Sequence, residues 1–315
     1  MQAADLSFRE GTTADLATTF ALSQRSMHAA AVRQGLADGD LGDAAVADHW
    51  RRHRTLVEFL AAQEGGRYWV CESEEEVVGF ARVVRFGDME ELNELMISPG
   101  YQHRGIGRML LERCWPGDPS PELGRACVAV GTPENLSLYT EFGVMPIAGH
   151  WHMLCRTDQY VEQRSLEIDV TEPGVNVLKG ERAAEEWKRL EPAALGYDRR
   201  LLHDFFGRDR TCLASMEPDA GSARALCWVS NEGEIGPAVG AAPEDLLPVV
   251  LAALDRVART QEPEYLRVFC TTTSWWLLRR LRGLGFQVFW PAWVMCSVPL
   301  PGLDRYAPAM PPQLL

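Results

Sequence analysis

A chain of 315 residues is longer than one hydrophobic core usually serves, so two domains are expected, each large enough to bury its own. A hydrophobic content of 46% beside 24% charged residues describes an ordinary globular protein, and no apolar run approaches the length of a membrane span. The formal charge of −13 argues against nucleic acid as a partner, because binding phosphates takes clustered Lys and Arg; the acid excess suits a cationic substrate and equally serves solubility.

The opening "MQAADLSFREG" lacks a basic segment followed by an apolar one, so a cytoplasmic protein is expected, with no membrane partner. Leu6 to Gly11 reads as a short strand, and "GTTADLATTFALSQ" offers a Thr cap before a helical apolar pattern. A second helix fits "DAAVADHWRRHRTLVEFLAAQ". "RYWVCES" and "EVVGFARVVRF", joined by the acidic turn Glu72 to Glu76, have the pattern of a hairpin. "EELNELMIS" is a further strand, followed by a glycine turn and a helix running to about Cys114. "RACVAVG" is a strand, "PENLSLYTEFG" a short helix ending at Gly143, and "VMPIAGHWHMLCR" a closing strand pair. Thr157 to Ser165 is polar and aperiodic, as a linker would be, which sets the expected domains at 1–158 and 165–315.

Beyond it the grammar repeats. "IDVTEPGVNVLK" is strand-like, helices fit "GERAAEEWKRLE" and "DRRLLHDFFG", and strands fit "TCLASM", "RALCWVS" and "EIGPAVG". "PEDLLPVVLAALDRVA" is a helix, "YLRVFC" a strand, "TSWWLLRRLRGLGF" a helix closed by Gly285, and "QVFWPAWVMCSV" a last strand. Each half ends in a helix, a Gly and a strand, the order of a tandem duplication; two unrelated α/β domains are the alternative. The 8 cysteines are scattered through apolar stretches without a CxxC or a histidine at metal-ligand spacing, so buried thiols and no metal site are expected.

"ISPGYQHRGIGRMLLERC" places Gln102, His103, Arg104, Gly105, Ile106, Gly107 and Arg108 between a strand and a helix, where successive N–H groups can converge on an anion. A P-loop would need Lys and Ser/Thr after its last glycine, and here Arg108 and Met109 follow. A dinucleotide fingerprint would need a small residue where Leu110 stands. The stretch is similar instead to the acyl-CoA pyrophosphate loop of the GNAT superfamily of N-acetyltransferases, whose Q/R-x-x-G-x-G/A pattern is met by Gln102, Gly105 and Gly107. "NLSLYTEFGV" resembles that superfamily's later helix: Asn135, Tyr139 and Gly143 fill the family's places, while Val144 stands where Phe is usual.

The resemblance implies an α/β (α+β) fold of two GNAT-like domains in tandem, each a mixed, mostly antiparallel twisted sheet flanked by helices, with splayed central parallel strands. It further implies acetyl-CoA as acyl donor, its pantetheine amides paired along Leu95, Met96 and Ile97, its pyrophosphate on the main chain from Gln102 to Arg108, and Asn135 holding the cofactor arm or capping its helix. Tyr139 would be the general acid for the thiolate, and Glu91 or Glu94 the base for the amine. Strict alternation sends these two carboxylates to opposite faces, and a bulge would bring both to the cleft. His150 and His152 alternate on one strand, facing an acceptor or serving as plain strand residues. The pairs Trp275-Trp276 and Trp290 with Trp293 read as core or interface anchors, or as walls of an acceptor site.

The second half lacks the chemistry. Leu281 and Leu277 stand where Tyr139 and Asn135 stand in the first, and Ala241, Ala242, Pro243, Glu244 and Asp245 replace the glycine cradle, with carboxylates that would repel pyrophosphate. The expected protein is an N-acetyltransferase that carries acetyl from acetyl-CoA to the primary amine of a small molecule in a ternary complex, as a monomer or homodimer. Its second domain would be degenerate, structural or acceptor-shaping. The alternatives are a protein lysine or N-terminal acetyltransferase and a non-catalytic acyl-CoA sensor.

Overall fold

The computed structural model describes residues 6–120, 122–130, 132–166, 174–217 and 221–309. The strands and helices are β1 (Leu6–Glu10), α1 (Leu16–Arg33), α2 (Asp43–Ala61), β2 (Arg67–Ser73), β3 (Glu76–Phe86), β4 (Met89–Ile97), α3 (Ile106–Cys114), β5 (Gly124–Val130), α4 (Pro133–Glu141), β6 (Met145–Arg156) and α5 (Thr157–Ser165). There follow β7 (Val175–Leu178), α6 (Gly180–Leu195), α7 (Arg200–Phe206), β8 (Thr211–Met216), β9 (Ala223–Val229), β10 (Ile235–Gly240), α8 (Leu246–Thr260), β11 (Tyr265–Thr271), α9 (Trp275–Gly283), β12 (Gln287–Cys296) and the two-residue β13 (Tyr306–Ala307). The order is that of mixed α/β layers, as expected. The chain forms two compact units: one holds the chain up to Arg85, Met89–Ala126 and Thr140–Gly143, the other Phe86–Asp88, Cys127–Tyr139 and the chain from Val144 on.

In the first unit the strands run in the order β1-β2-β3-β4-β5. The β2–β3 hairpin turns through Glu74 and Glu75, both left-handed (φ 53° and 69°), the geometry whose twist matches its flanking strands. Asp15 fixes the start of α1: its carboxylate accepts the Thr12 N–H at 2.7 Å and two bonds from Arg9 at 2.7 and 2.9 Å. Side chains alternate across β2, so its two faces meet different helices. Tyr68 packs with Leu16, Phe20 and Val57 of α1 and α2. Trp69, on the other face, lies 5.7 Å from the Arg113 guanidinium of α3, and Arg67 donates to the Cys114 carbonyl at 2.9 Å.

The second unit has two sheets. One runs from residues Cys127–Val130 of β5 through β12 and β6 to β11, the other in the order β13-β10-β9-β8-β7. Helix α8 buries Leu246, Val249, Val250, Ala253, Leu254 and Val257, spaced three and four apart, among Val268 and Cys270 of β11 and Met153 and Cys155 of β6. All 8 cysteines are buried free thiols, and burial pushes the Cys114 thiol up to about 12, out of reach of ordinary thiolate chemistry.

Two expectations are corrected. "VMPIAGHWHMLCR" is one continuous strand, β6, rather than a strand pair, and β12 and β11 occupy its two edges, both antiparallel. Gly149 is no turn residue: its N–H and carbonyl bond Thr272 at 2.8 and 2.9 Å, and a Cβ would come within 2.5 Å of the Thr272 side chain. Thr157 to Ser165 is a helix, α5, rather than a linker. Tertiary partners supply what periodicity lacks, since the buried Tyr160 donates to Asp255 at 2.7 Å and Arg164 pairs with the same carboxylate at 3.1 Å. The first half of the strand-like "IDVTEPGVNVLK", residues 168–173, lies outside the described residues, and β7 covers four residues of the rest.

Candidate active site

Along β4, burial falls where the site was expected. Residues from Met89 to Glu94 are buried, while Leu95, Met96 and Ile97 are half-buried. The Ser98 N–H still bonds the Val78 carbonyl at 2.8 Å, after which the chain leaves the sheet in a tight turn over Pro99–Tyr101. Gln102 reaches back to the Ile97 carbonyl from Nε2 at 3.2 Å, fastening the loop to the strand it left. His103 (φ 62°) and Gly105 (φ 76°) are both left-handed, with Arg104 between them. For Gly105 that conformation carries no Cβ strain, whereas His103 bears a strain of about 1 kcal/mol. A Cβ at Gly105 would meet nothing within 4 Å, so backbone conformation and not packing calls for the glycine.

Helix α3 follows, anchored by the buried Ile106. The Met109 N–H is the first to return to the chain, bonding the Gly105 carbonyl at 3.1 Å. Among the described residues the N–H groups from Gln102 to Arg108 have no backbone carbonyl partner, the ordinary state of a helix start and the one that suits an anion. The two loop cations are held by the protein: Arg104 donates to the Gly100 carbonyl at 2.9 Å and lies 4.9 Å from the Tyr101 ring, and Arg108 pairs with Glu141. Gly107 sits in the first turn of α3.

The carboxylates of β4 divide between two faces. Glu90 meets Arg67 at 2.5 Å, on the α3 side. Glu94 is bonded by the buried Arg82, which stands opposite Tyr68 in the β2–β3 register, on the α1 side. Carboxylates four residues apart would share a face in an unbroken strand, so β4 slips by one residue between them. Glu91 is buried in this irregular stretch.

Tyr139 and Asn135 lie on α4. Thr132 caps that helix, its hydroxyl accepting the Asn135 N–H at 3.3 Å, and Asn135 donates from Nδ2 to the Val130 carbonyl at 3.3 Å. The amide therefore ties the helix to the end of β5. Burial, seconded by Cys127, raises the Tyr139 phenol well above its ordinary value. Among the described residues no side chain takes the Tyr139 hydroxyl, whereas Tyr68, Tyr160 and Tyr306 all bond a protein partner.

His150 and His152 are both pushed down to about 4 by burial and pack against Phe269 at 4.6 and 4.9 Å, so they are neutral at neutral pH. The core part of the Trp275-Trp276 reading is corrected: the two are 65% and 61% exposed, because α9 buries Leu277, Leu278 and Leu281 instead. In the second half, Asp245 takes the Ala242 N–H at 3.1 Å and pairs with Arg224 at 2.8 Å, while Leu277 and Leu281 are core residues. Three side chains escaped the sequence reading: Arg82, Ser23 and Ser26, each buried with polar atoms that find no partner. The one visible signal was an arginine inside the apolar run "EVVGFARVVRF".

Residues 64–143 match the acetyltransferase (GNAT) domain family, the stretch holding the loop, Glu91, Glu94 and Tyr139. The match places an acetyltransferase domain within this stretch of the chain. Among solved structures, a Pyrococcus horikoshii chain is similar with a TM-score of 0.67 at 15% identity, over 97% of this chain and 94% of that one. A tandem GNAT protein from the clavulanic acid biosynthesis pathway has a TM-score of 0.60 at 18% identity, over 94% and 99%. A GNAT protein from Sphaerobacter thermophilus has a TM-score of 0.56 at 17% identity, over 95% and 97%. At these identities the likeness is one of fold, and it extends over both halves. No curated protein matches the sequence. Among the described residues no helix is long and apolar enough to cross a membrane.

Proposed function

We propose that this chain, which carries an acetyltransferase (GNAT) domain over residues 64–143, transfers acetyl from acetyl-CoA to the primary amine of a small molecule by direct transfer in a ternary complex. The observation that carries the proposal is Tyr139, a buried phenol kept protonated by desolvation, with a hydroxyl that no side chain among the described residues takes. Binding alone would not call for a proton donor of this kind.

The steps follow from what amide formation requires. The N–H groups from Gln102 to Arg108 take the pyrophosphate of the co-substrate, and the half-buried backbone of Leu95 to Ile97 pairs with its pantetheine amides. Arg104 and Arg108 lie at the same loop, Arg108 exchanging Glu141 for phosphate. Asn135 holds the end of β5 in place. Glu91 or Glu94 takes the proton of the ammonium. The freed amine attacks the thioester carbonyl, the C–N bond forms and the C–S bond breaks. The thiolate leaves with the Tyr139 proton, and the second proton shed by the attacking nitrogen returns to the Tyr139 phenolate, giving the amide and free CoA thiol. The 1–158 half carries this chemistry, and the 165–315 half, with Asp245 across its corresponding helix start, is assigned a structural or acceptor-shaping role.

Thiol release from acetyl-CoA against a panel of small amines tests the reading. Turnover with small amines, lost in Tyr139→Phe, is the expected result. Release only with peptides or proteins would make the acceptor a protein, and tight acetyl-CoA binding without release for any acceptor would make the chain a sensor.

A further inference from the structure

Beneath α1, the first unit buries polar groups that its own chain does not satisfy. Thr19, Ser23 and Ser26 follow one another on the buried side of the helix at spacings of four and three residues. The Thr19 hydroxyl has a partner, the Tyr68 hydroxyl at 2.8 Å; the buried hydroxyls of Ser23 and Ser26 have none among the described residues. On the sheet facing this helix stands Arg82, 1% exposed, its guanidinium 5.5 Å from the Tyr68 ring. Its Nη2 donates to Glu94, but Nε and Nη1 are buried without a partner. Helix α1 also packs on β4, the strand that carries Glu94. Four orphaned polar atoms thus lie in one layer, where an interior ordinarily leaves almost none.

Resting on the function proposed above, we infer that this layer receives the acceptor, and that the acceptor is a small primary amine bearing a carboxylate, of the amino-acid class. Its carboxylate accepts from the unpartnered donors of Arg82 and from the hydroxyls of Ser23 and Ser26, and its ammonium lies at Glu94. Charge balance selects this class. Arg82 and Glu94 already neutralise each other, so a bare amine or a bare carboxylate would add an uncompensated buried charge, and a zwitterion adds none. A polyamine, which the net acidity alone would favour, would set like charge beside the guanidinium and leave its donors unused.

The test compares amino acids and ω-amino acids with their amides and decarboxylated amines, in the wild type and in the double variant Ser23→Ala with Ser26→Ala. In the wild type the carboxylate-bearing acceptors are expected to lead in kcat/KM by a factor of at least about 10, the lower range for leaving one buried donor or acceptor unsatisfied. The double variant is expected to shrink that lead through KM, and to raise the Tm of the free protein, because it deletes two buried hydroxyls that lack partners. A purely structural role for the serines would lower the Tm instead. Arg82→Lys should reduce the preference further, and the acceptor series keeps the inference testable if that variant fails to fold. Equal rates with amides and decarboxylated amines would overturn it and assign the orphaned atoms to buried water. So would a lead that the double variant leaves unchanged. Acetyl-CoA binding without turnover for any amine would instead remove the proposed function itself.

Discussion

Two helix starts in this chain follow the same strand–turn–helix grammar and end in opposite chemistry. α3 begins at Gly105 with its first N–H groups uncommitted among the described residues; α8 begins at Asp245, whose own carboxylate takes the Ala242 N–H and pairs with Arg224. Both arrangements satisfy the rule that a helix start must find acceptors. The second finds them within the chain and so closes the site, while the first leaves them for a ligand. What separates a cofactor cradle from a structural turn is therefore a left-handed glycine and the absence of a carboxylate two or three residues on.

The contrast implies that damage to the first start registers in binding and chemistry, and damage to the second half in stability. Gly105→Glu places both a Cβ in a left-handed position and a negative charge at the loop, and should abolish acetyl-CoA binding in calorimetry, while Ala242→Glu leaves the affinity unchanged. Equal loss in both would erase the distinction. Next in size, Tyr139→Phe should lower kcat roughly 10² to 10⁴-fold with the acetyl-CoA Kd intact.

In the second half, the buried Glu191 bonds Arg199 at 2.6 Å and His203 at 2.6 Å. Burial alone would raise this carboxyl, but the two partners outweigh it and bring it down to about 2. Glu191→Gln leaves Arg199 without its counter-charge and should cost roughly 3–5 kcal/mol of stability. Because the folded value lies below the ordinary one, the contribution of Glu191 is complete above about pH 4.5 and is lost as pH falls towards 2. The Tm gap between wild type and variant should therefore close over that window, and acetyl-CoA affinity at neutral pH should be unchanged. Smallest of the four, Asp245→Asn weakens the α8 cap and should lower stability by about 1 kcal/mol, read as a shift in Tm.

The strand and helix periodicities made most elements legible, down to the hairpin at Glu74 and Glu75 and the helix closed near Gly285. The glycine loop was legible because its conformation is written in residue types. Elements defined by distant partners were not: α5 depends on Asp255 across 91 residues from Arg164, and the continuity of β6 depends on β11 and β12, which bond it along both edges. The slip in β4 escaped for a like reason, since only Arg67 and Arg82 on opposite faces reveal that Glu90 and Glu94 diverge. Ser23 and Ser26 look like ordinary helix residues until α1 is seen to turn them inward.

The most direct test of the account is single-turnover release of CoA thiol from bound acetyl-CoA on adding a carboxylate-bearing amine, measured for wild type and Tyr139→Phe at matched occupancy of the co-substrate. The account predicts release in the wild type and its near-complete loss in the variant. Undiminished release in Tyr139→Phe, or none in the wild type with any amine, would contradict it.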